Sequence, residues 1–332
     1  MYNKNLSELI QKQKNNPDLK DKIDDYYAKT NLQNTKPLLS KELIDLQIEP
    51  KKILLSPWLK EQQIAMIYAP PGTGKTFFAM NCAYSLATGK RFLNFDATKI
   101  DSVMYIDAEM DIGELQERWK LVTKNNNDLN VHFYTPSLFD EKIVPKISTK
   151  EEQQFYENKF DEYKTKVVIF DNLSMLNHLD ENKANEWSVI QNWLVKLKNS
   201  GMSVILIHHT NKGKKEYRGS SKIKDILNSV LFLEEIQEEN QKHTARFKVK
   251  YDKKRGFYGD DAKEFEAWLG EDGMWHTQDP VISNRIKVIQ FYKSGMSAKE
   301  ISIDLSIQPR TVYRYLEEAE IAGMIKKRSY GK

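Results

Sequence analysis

Ile64-Ala-Met-Ile-Tyr-Ala-Pro-Pro-Gly-Thr-Gly-Lys-Thr76, with the run Phe77 to Thr88 behind it, decides the fold of this chain. An apolar strand passes into a Gly-rich turn and then into an amphipathic helix. Gly72 and Gly74 let the backbone bend close around an anion, and the N–H groups leading into the helix point at it. Lys75 then reaches the outer phosphates of a nucleoside triphosphate, and the Thr76 hydroxyl is placed for Mg²⁺. The expected ATP cradle is therefore Ala69, Pro70, Pro71, Gly72, Thr73, Gly74, Lys75 and Thr76. Ala69 stands where the pattern G-x-x-x-x-G-K-[ST] has its first Gly. That position mainly turns the chain, so a small residue serves.

The rest of the composition is consistent with such a core. At 332 residues the chain has room for two domains and a full α/β core. The one cysteine, Cys82, lies in the helix after the turn and reads as a buried thiol. The N-terminus opens no secretory segment and no apolar run approaches the ~20 residues of a membrane span, so a cytoplasmic protein is expected. Net charge is +4, but Val281 to Lys332 holds ten Lys/Arg against five Asp/Glu, an excess of five that leaves −1 for the remainder. A basic tail of this kind suggests a polyanionic partner.

Residues 1–50 are polar and charged, with short helices expected at Leu6–Ile10 and Leu19–Ala28; they read as a partly disordered leader or as an arm for a neighbouring subunit. Val103 to Glu109 is an apolar strand ending in two carboxylates, Asp107 and Glu109. Ligands of open α/β sheets bind beyond the carboxyl ends of strands, which brings these acids near the phosphates; solvated strand-end acids are the alternative. Ile112 to Val122 and Lys150 to Tyr163 are expected helices, and Val131–Tyr134 a short strand. Val167-Val-Ile-Phe-Asp171 is a continuous apolar run, as a strand buried on both faces requires, and its terminal Asp171 would hold the Mg²⁺ water shell with Thr76. Asn185 to Lys198 places Trp187, Ile190, Trp193, Leu194 and Leu197 at helical spacing, a core face. Val204 to His209 is the fifth strand, and His208 with His209 at its end are candidates to sense the γ-phosphate. The loop Thr210 to Asp225 carries Lys212, Lys214, Lys215 and Arg218, suited either to gripping a nucleic-acid backbone or to plain solvation. Strands at Val230–Leu233 and Ala245–Tyr251, then a hairpin of Phe265–Leu269 and Met274–His276, complete the core.

In this order the motifs resemble the RecA-like hexameric ATPases. The likeness is greatest to the plasmid RepA-type replicative helicases, themselves similar to the DnaB helicases, and it covers roughly residues 40–278. It is carried by Ile53-Leu-Leu-Ser-Pro-Trp-Leu59 ahead of the P-loop, Glu109, Asp171, and His208-His-Thr-Asn-Lys212 leading to Arg218-Gly-Ser-Ser221. The late Lys253-x-Arg255 completes the set. The resemblance implies an α/β core with a mostly parallel sheet, Glu109 as the base that activates water, and His209 as sensor. It also implies that Lys253 and Arg255 reach into the site of the adjacent subunit of a homo-oligomer, a hexamer. One departure is Asn228-Ser229, where the family tends to carry an Asp.

Beyond Pro280, Ser297 to Leu316 looks like a helix-turn-helix with a small core of Ile301, Leu305, Ile307, Val312 and Leu316. Pro309 opens the second helix and Gly323 ends it. Met324-Ile-Lys-Lys-Arg328 resembles the strand and wing of a winged helix, and Ser306 occupies the turn position usually held by Gly. The second helix would present Arg310, Thr311, Tyr313 and Arg314 to a major groove; protein contacts are the other use of such a module.

The sequence thus predicts three parts: a leader (1–50), a RecA-like P-loop ATPase core (51–278) and a small α-rich winged helix-turn-helix domain (281–332). ATP and Mg²⁺ are the expected cofactors, and DNA the expected partner, single-stranded at the core loop and duplex at the C-terminal helix. The function expected is ATP-driven translocation on DNA by a ring-forming replicative helicase of a plasmid, phage or mobile element. An ATP-switched DNA-binding regulator and a RecA-type recombination or repair ATPase are the alternatives.

Overall fold

The computed structural model describes residues 36–126, 128–177, 184–211, 217, 223–236, 245–277 and 284–326. The chain divides into two units, Met1–Glu49 and Pro50–Lys332. In the first, the described residues form one short helix, α1 (Ser40–Asp45), that buries no side chain. The helices expected at Leu6–Ile10 and Leu19–Ala28 lie outside the described residues.

In the second unit, a two-stranded ribbon, β1 (Ile53–Leu55) and β2 (Leu59–Lys60), leads into β3 (Ile64–Ala69) and then into helix α2 (Lys75–Thr88). Strand β4 (Val103–Asp107), helix α3 (Ile112–Thr123), strand β5 (Val131–Tyr134) and helix α4 (Lys150–Glu162) follow. Next come β6 (Val167–Asp171), α5 (Ala184–Asn199), β7 (Ser203–His209), α6 (Ile223–Ile226) and β8 (Ser229–Glu235). Strands β9 (Ala245–Lys254), β10 (Phe265–Leu269) and β11 (Trp275–Thr277) close the core.

One sheet takes β3 to β11 in the order β11-β10-β9-β8-β3-β7-β6-β4-β5. The stretch from β5 through β8 is parallel, and β8 to β11 pair antiparallel. The central strands are buried along their whole length, because helices cover both faces. Phe78, Met80 and Cys82 of α2 and Leu115 of α3 pack on one face. Tyr156 and Phe160 of α4 and Trp187, Ile190, Trp193, Leu194 and Leu197 of α5 pack on the other. Each of these larger side chains contributes roughly 1.5–3 kcal/mol by burial. In β9 the pattern changes to alternation, as expected where one sheet face meets solvent.

Asn228 and Ser229 have a structural task at the start of β8. Asn228 Oδ1 accepts the Ile64 N–H at 3.1 Å, and Ser229 Oγ donates to Trp58 O at 2.6 Å. Together they tie the start of β8 to the start of β3 and to the ribbon before it.

The C-terminal helices are α7 (Asn284–Lys293), α8 (Ala298–Asp304) and α9 (Pro309–Ile321). Val288, Ile301, Val312, Tyr315 and Leu316 form their core. Ser297 and Glu300 cap α8 reciprocally, and Ser306 takes a left-handed φ of 52° in the turn. That is the backbone shape for which Gly is ordinarily used. Helix α7 is an addition to the sequence reading. Of the expected strand and wing, Met324 and Ile325 form a bend and Lys326 takes no regular structure, while Lys327 and Arg328 lie outside the described residues. Among the described residues no helix is long and apolar enough to cross a membrane.

Candidate functional site

The turn between β3 and α2 takes the geometry the motif demands. Gly72 has φ 82° and Gly74 φ 97°, both left-handed. Gly74 is held for a second reason: a Cβ there would lie 2.8 Å from Ala245 Cβ at the start of β9, so only Gly fits between them. The Thr73 hydroxyl donates to Pro70 O at 2.9 Å and closes the turn. Lys75 Nζ donates to Pro70 O at 2.7 Å and to Ala69 O at 3.2 Å. Burial brings the Lys75 ammonium down to about 8, against the pull of Asp171 and Glu109.

Around the turn lies a cleft of about 370 Å³. Of the residues expected from the sequence, Pro71, Gly72, Gly74, Lys75, Thr76, Glu109, Asp171 and His209 all line it. Strand β4 ends at Asp107, so Glu109 stands two residues beyond the strand with its side chain half exposed. Asp171 ends β6 directly beside Asp107 in register. Its carboxylate is buried and accepts hydrogen bonds from Tyr105 Oη at 2.6 Å and from the Thr76 side chain. Burial raises the Asp171 carboxyl, and those two donors oppose the rise. Asp107 is pushed up to about 7 by burial and by Asp171 beside it.

Thr76 and Asp171, one hydroxyl and one carboxylate in contact beside a Lys, fit Mg²⁺, which keeps most of its waters and needs few protein oxygens. Among the described residues no group of three or more His, Cys, Asp or Glu is placed to hold a metal by itself.

The paired histidines are separated by the pleat. His209 faces the cleft, whereas His208 is fully buried on the opposite side with Nδ1 3.4 Å from Ser174 Oγ. Of the two candidates, only His209 lines the cleft. Lys253 and Arg255 lie at the other edge of the sheet: Lys253 pairs with Val230, and the Arg255 N–H bonds Asn228 O near the start of β3. Strand β3, six residues long, puts roughly 17 Å between that edge and the P-loop of the same chain. Lys253 Nζ donates to Lys224 O. Lys212, Lys214, Lys215 and Arg218 lie outside the described residues.

Arg310 and Tyr313 of α9 are exposed, Tyr313 at 51%. Arg314 turns inward instead. Its guanidinium stacks on the rings of Tyr315 and Tyr258, at 4.7 and 5.0 Å, and lies 3.8 Å from Asp261. Tyr315 Oη donates to the same Asp261 at 2.7 Å. Nearby, the buried Arg285 pairs with Asp96 at 3.1 Å and with Glu318 at 3.6 Å, fastening the helices to the core.

Two polar cleft residues were not foreseen. Arg118 of α3 reaches the cleft over the Phe77 ring, 5.6 Å away, while paired with Glu114. Its only sequence signal is the i,i+4 Glu–Arg spacing, which is common on any solvated helix. Asn172, next to Asp171, donates to Glu109 Oε1 at 2.6 Å; a lone Asn carries no sequence signal at all. A family model described as an AAA domain matches residues 29–215, more than half of the chain. No curated protein matches it.

Proposed function

The chain belongs to this AAA-domain family and is a P-loop ATPase by class, and from that premise we propose that it is a ring-forming DNA translocase, a replicative helicase of a plasmid, phage or other mobile element. The observation that carries the reading is the division of charged residues between two edges of one sheet. Lys75, Thr76, Glu109, Asp171 and His209 gather at the P-loop edge, and Lys253 with Arg255 stands at the other.

The chemistry follows from these positions. Lys75 binds the outer phosphates, and Thr76 with Asp171 would hold a hydrated Mg²⁺, which would neutralise phosphate charge when bound. Glu109, half exposed beside the cleft, takes the proton of the attacking water, with Asn172 holding its carboxylate. A phosphoryl transition state also calls for added positive charge opposite the P-loop. Lys253 and Arg255 are too far from their own P-loop to supply it and are placed to supply it to the next subunit. Such a head-to-tail contact, repeated, closes a ring, here a hexamer. The segment that begins at Thr210, directly after His209, is the grip on single-stranded DNA through Lys212, Lys214, Lys215 and Arg218. Helix α9 meets duplex through Arg310 and Tyr313.

A second reading, a DNA-binding regulator that uses ATP as an assembly switch, is favoured by one observation: α7 to α9 are fastened to the core by Arg285 and Arg314. Strand displacement on a forked duplex separates the two. The translocase opens the fork with ATP and fails to do so as Lys75→Ala. Hydrolysis of ATP with no displacement on any fork would leave the regulator.

A further inference from the structure

Asn172 sits at the end of β6, buried, and its side-chain amide is engaged in three directions. Nδ2 donates to Glu109 Oε1 at 2.6 Å. Oδ1 accepts the Met175 N–H at 3.1 Å. Nδ2 also lies 3.1 Å from His209 Nε2. Turning the amide by 180° would keep its shape, so its neighbours have to decide which end is which. A carboxylate at neutral pH only accepts, and a backbone N–H only donates. Nδ2 must therefore face Glu109, and Oδ1 must face Met175. The second Nδ2 hydrogen is then the one aimed at the imidazole, so Nε2 accepts it and the ring proton lies on Nδ1. His209 Nε2 is 4.0 Å from Glu109 Oε1, beyond hydrogen-bond distance, so the amide is the bridge between them.

We propose that Asn172 is a positioning residue for hydrolysis: its amide nitrogen joins Glu109 to His209, holds the carboxylate at the cleft, and fixes His209 in its Nδ1–H form. The residue type is specific. Asp has the same shape but no hydrogen to give, and Ser has a single one, whereas this place calls for two hydrogens on one atom. The arrangement also links two neighbouring strands, since Asn172 follows β6 and His209 ends β7. A displacement of the β7 end, where the segment beginning at Thr210 departs, is passed to the base through one amide. Among the described residues His209 Nδ1 is buried without a hydrogen-bond partner.

The role of Glu109 here rests on the ATPase reading; the tautomer of His209 does not. ¹⁵N spectra of histidine-labelled protein test the tautomer, and steady-state rates test the positioning. In the parent, the His209 signals, identified by their loss in His209→Gln, should place the proton on Nδ1; that spectrum needs no change at Asn172. Asn172→Asp should move the proton to Nε2 and lower kcat about 10²-fold while KM for ATP changes by less than about threefold. Asn172→Ala, which buries no new charge, should lose kcat with the same KM and serves if the Asp variant fails to fold. A parent spectrum with the proton on Nε2 overturns the proposal, and so does a parental kcat in both variants. A parent that binds ATP but never hydrolyses it refutes the ATPase reading, a result distinct from either, and the spectrum still decides the bridge.

Discussion

The P-loop edge of the sheet and the junction of the C-terminal helices with the core both bury charge, in opposite ways. At the P-loop edge, Asp107 and Asp171 lie side by side with Glu109 beyond them, and Lys75 lies within the field of Asp171 and Glu109. Burial, with Asp171 alongside, pushes Asp107 up to about 7, and burial brings Lys75 down to about 8 against the pull of Asp171 and Glu109. At the junction, signs alternate: Asp96, Arg285 and Glu318 form one chain, and Asp261 and Arg314 another. Burying charge is costly in both places, but at the second each arginine has carboxylates of the protein beside it. A crowded, unmatched site is a place for chemistry with a charged substrate; a matched one is an attachment. Substitutions at the first should change turnover and leave folding alone, and substitutions at the second should do the reverse.

The largest effect is expected where the site borrows charge. Arg255→Ala should lower ATP hydrolysis by about 10³–10⁵-fold with ATP binding kept, as removal of an arginine finger does. Mixed with Lys75→Ala protein, which has lost ATP binding, it should regain part of the rate, because an intact P-loop can then face an intact finger. No recovery, with mixed assembly confirmed by light scattering, would break the division of the site between subunits.

Next is the base. Glu109→Gln keeps the shape and the Asn172 contact but cannot take a proton, so hydrolysis should fall about 10²–10⁴-fold. ATP affinity and Tm should stay at parental values. A variant that turns over at the parental rate would remove Glu109 from the chemistry and blur the contrast between the two regions.

At the junction the same logic points to stability. Arg285→Ala leaves Asp96 and Glu318 without their shared cation and with little access to water, a loss of about 3–5 kcal/mol for a broken buried pair. Urea denaturation should show it as a lower midpoint at unchanged slope, with ATP affinity held. If ATP affinity collapses while the midpoint stays, the junction is not merely an attachment.

Much of the site was legible because it is local or strictly periodic. Gly72 to Thr76 specify their own backbone, and the run Val167–Phe170 requires a strand buried on both faces, which fixes where Asp171 emerges. The separation of His208 from His209 was legible too, since a pleat puts neighbours on opposite faces. Arg118 and Asn172 were not, because what draws them to the cleft is the packing of α3 and the end of β6, not their spacing. The division of the sheet into two charged edges depends on strand order, and the order β8-β3-β7 is set by crossovers that no local pattern encodes. Helix α7 escaped notice because its apolar residues, Ile286, Val288, Ile289, Phe291 and Tyr292, come too densely to mark one face.

Arg310 and Arg314, one helical turn apart, give the smallest effect and the finest test of the comparison. On sequence grounds they are equivalent, both able to enter a groove. The fold makes them unlike: Arg310 is exposed, whereas Arg314 belongs to the junction, stacked on Tyr258 and Tyr315 beside Asp261. Each cation–ring contact contributes about 0.5–1 kcal/mol, so Arg314→Ala should cost on the order of 1 kcal/mol of stability. Duplex binding should barely change in that variant. Arg310→Ala should leave stability alone, weaken duplex binding, and flatten the plot of log affinity against log salt by about one, the share of a single phosphate contact. Fluorescence anisotropy across a salt series, run beside denaturation of the same samples, reads both quantities. Should Arg314→Ala flatten the salt dependence as much as Arg310→Ala, Arg314 leaves Asp261 when duplex arrives. The junction would then be a site that exchanges one polyanionic partner for another, not a fixed attachment.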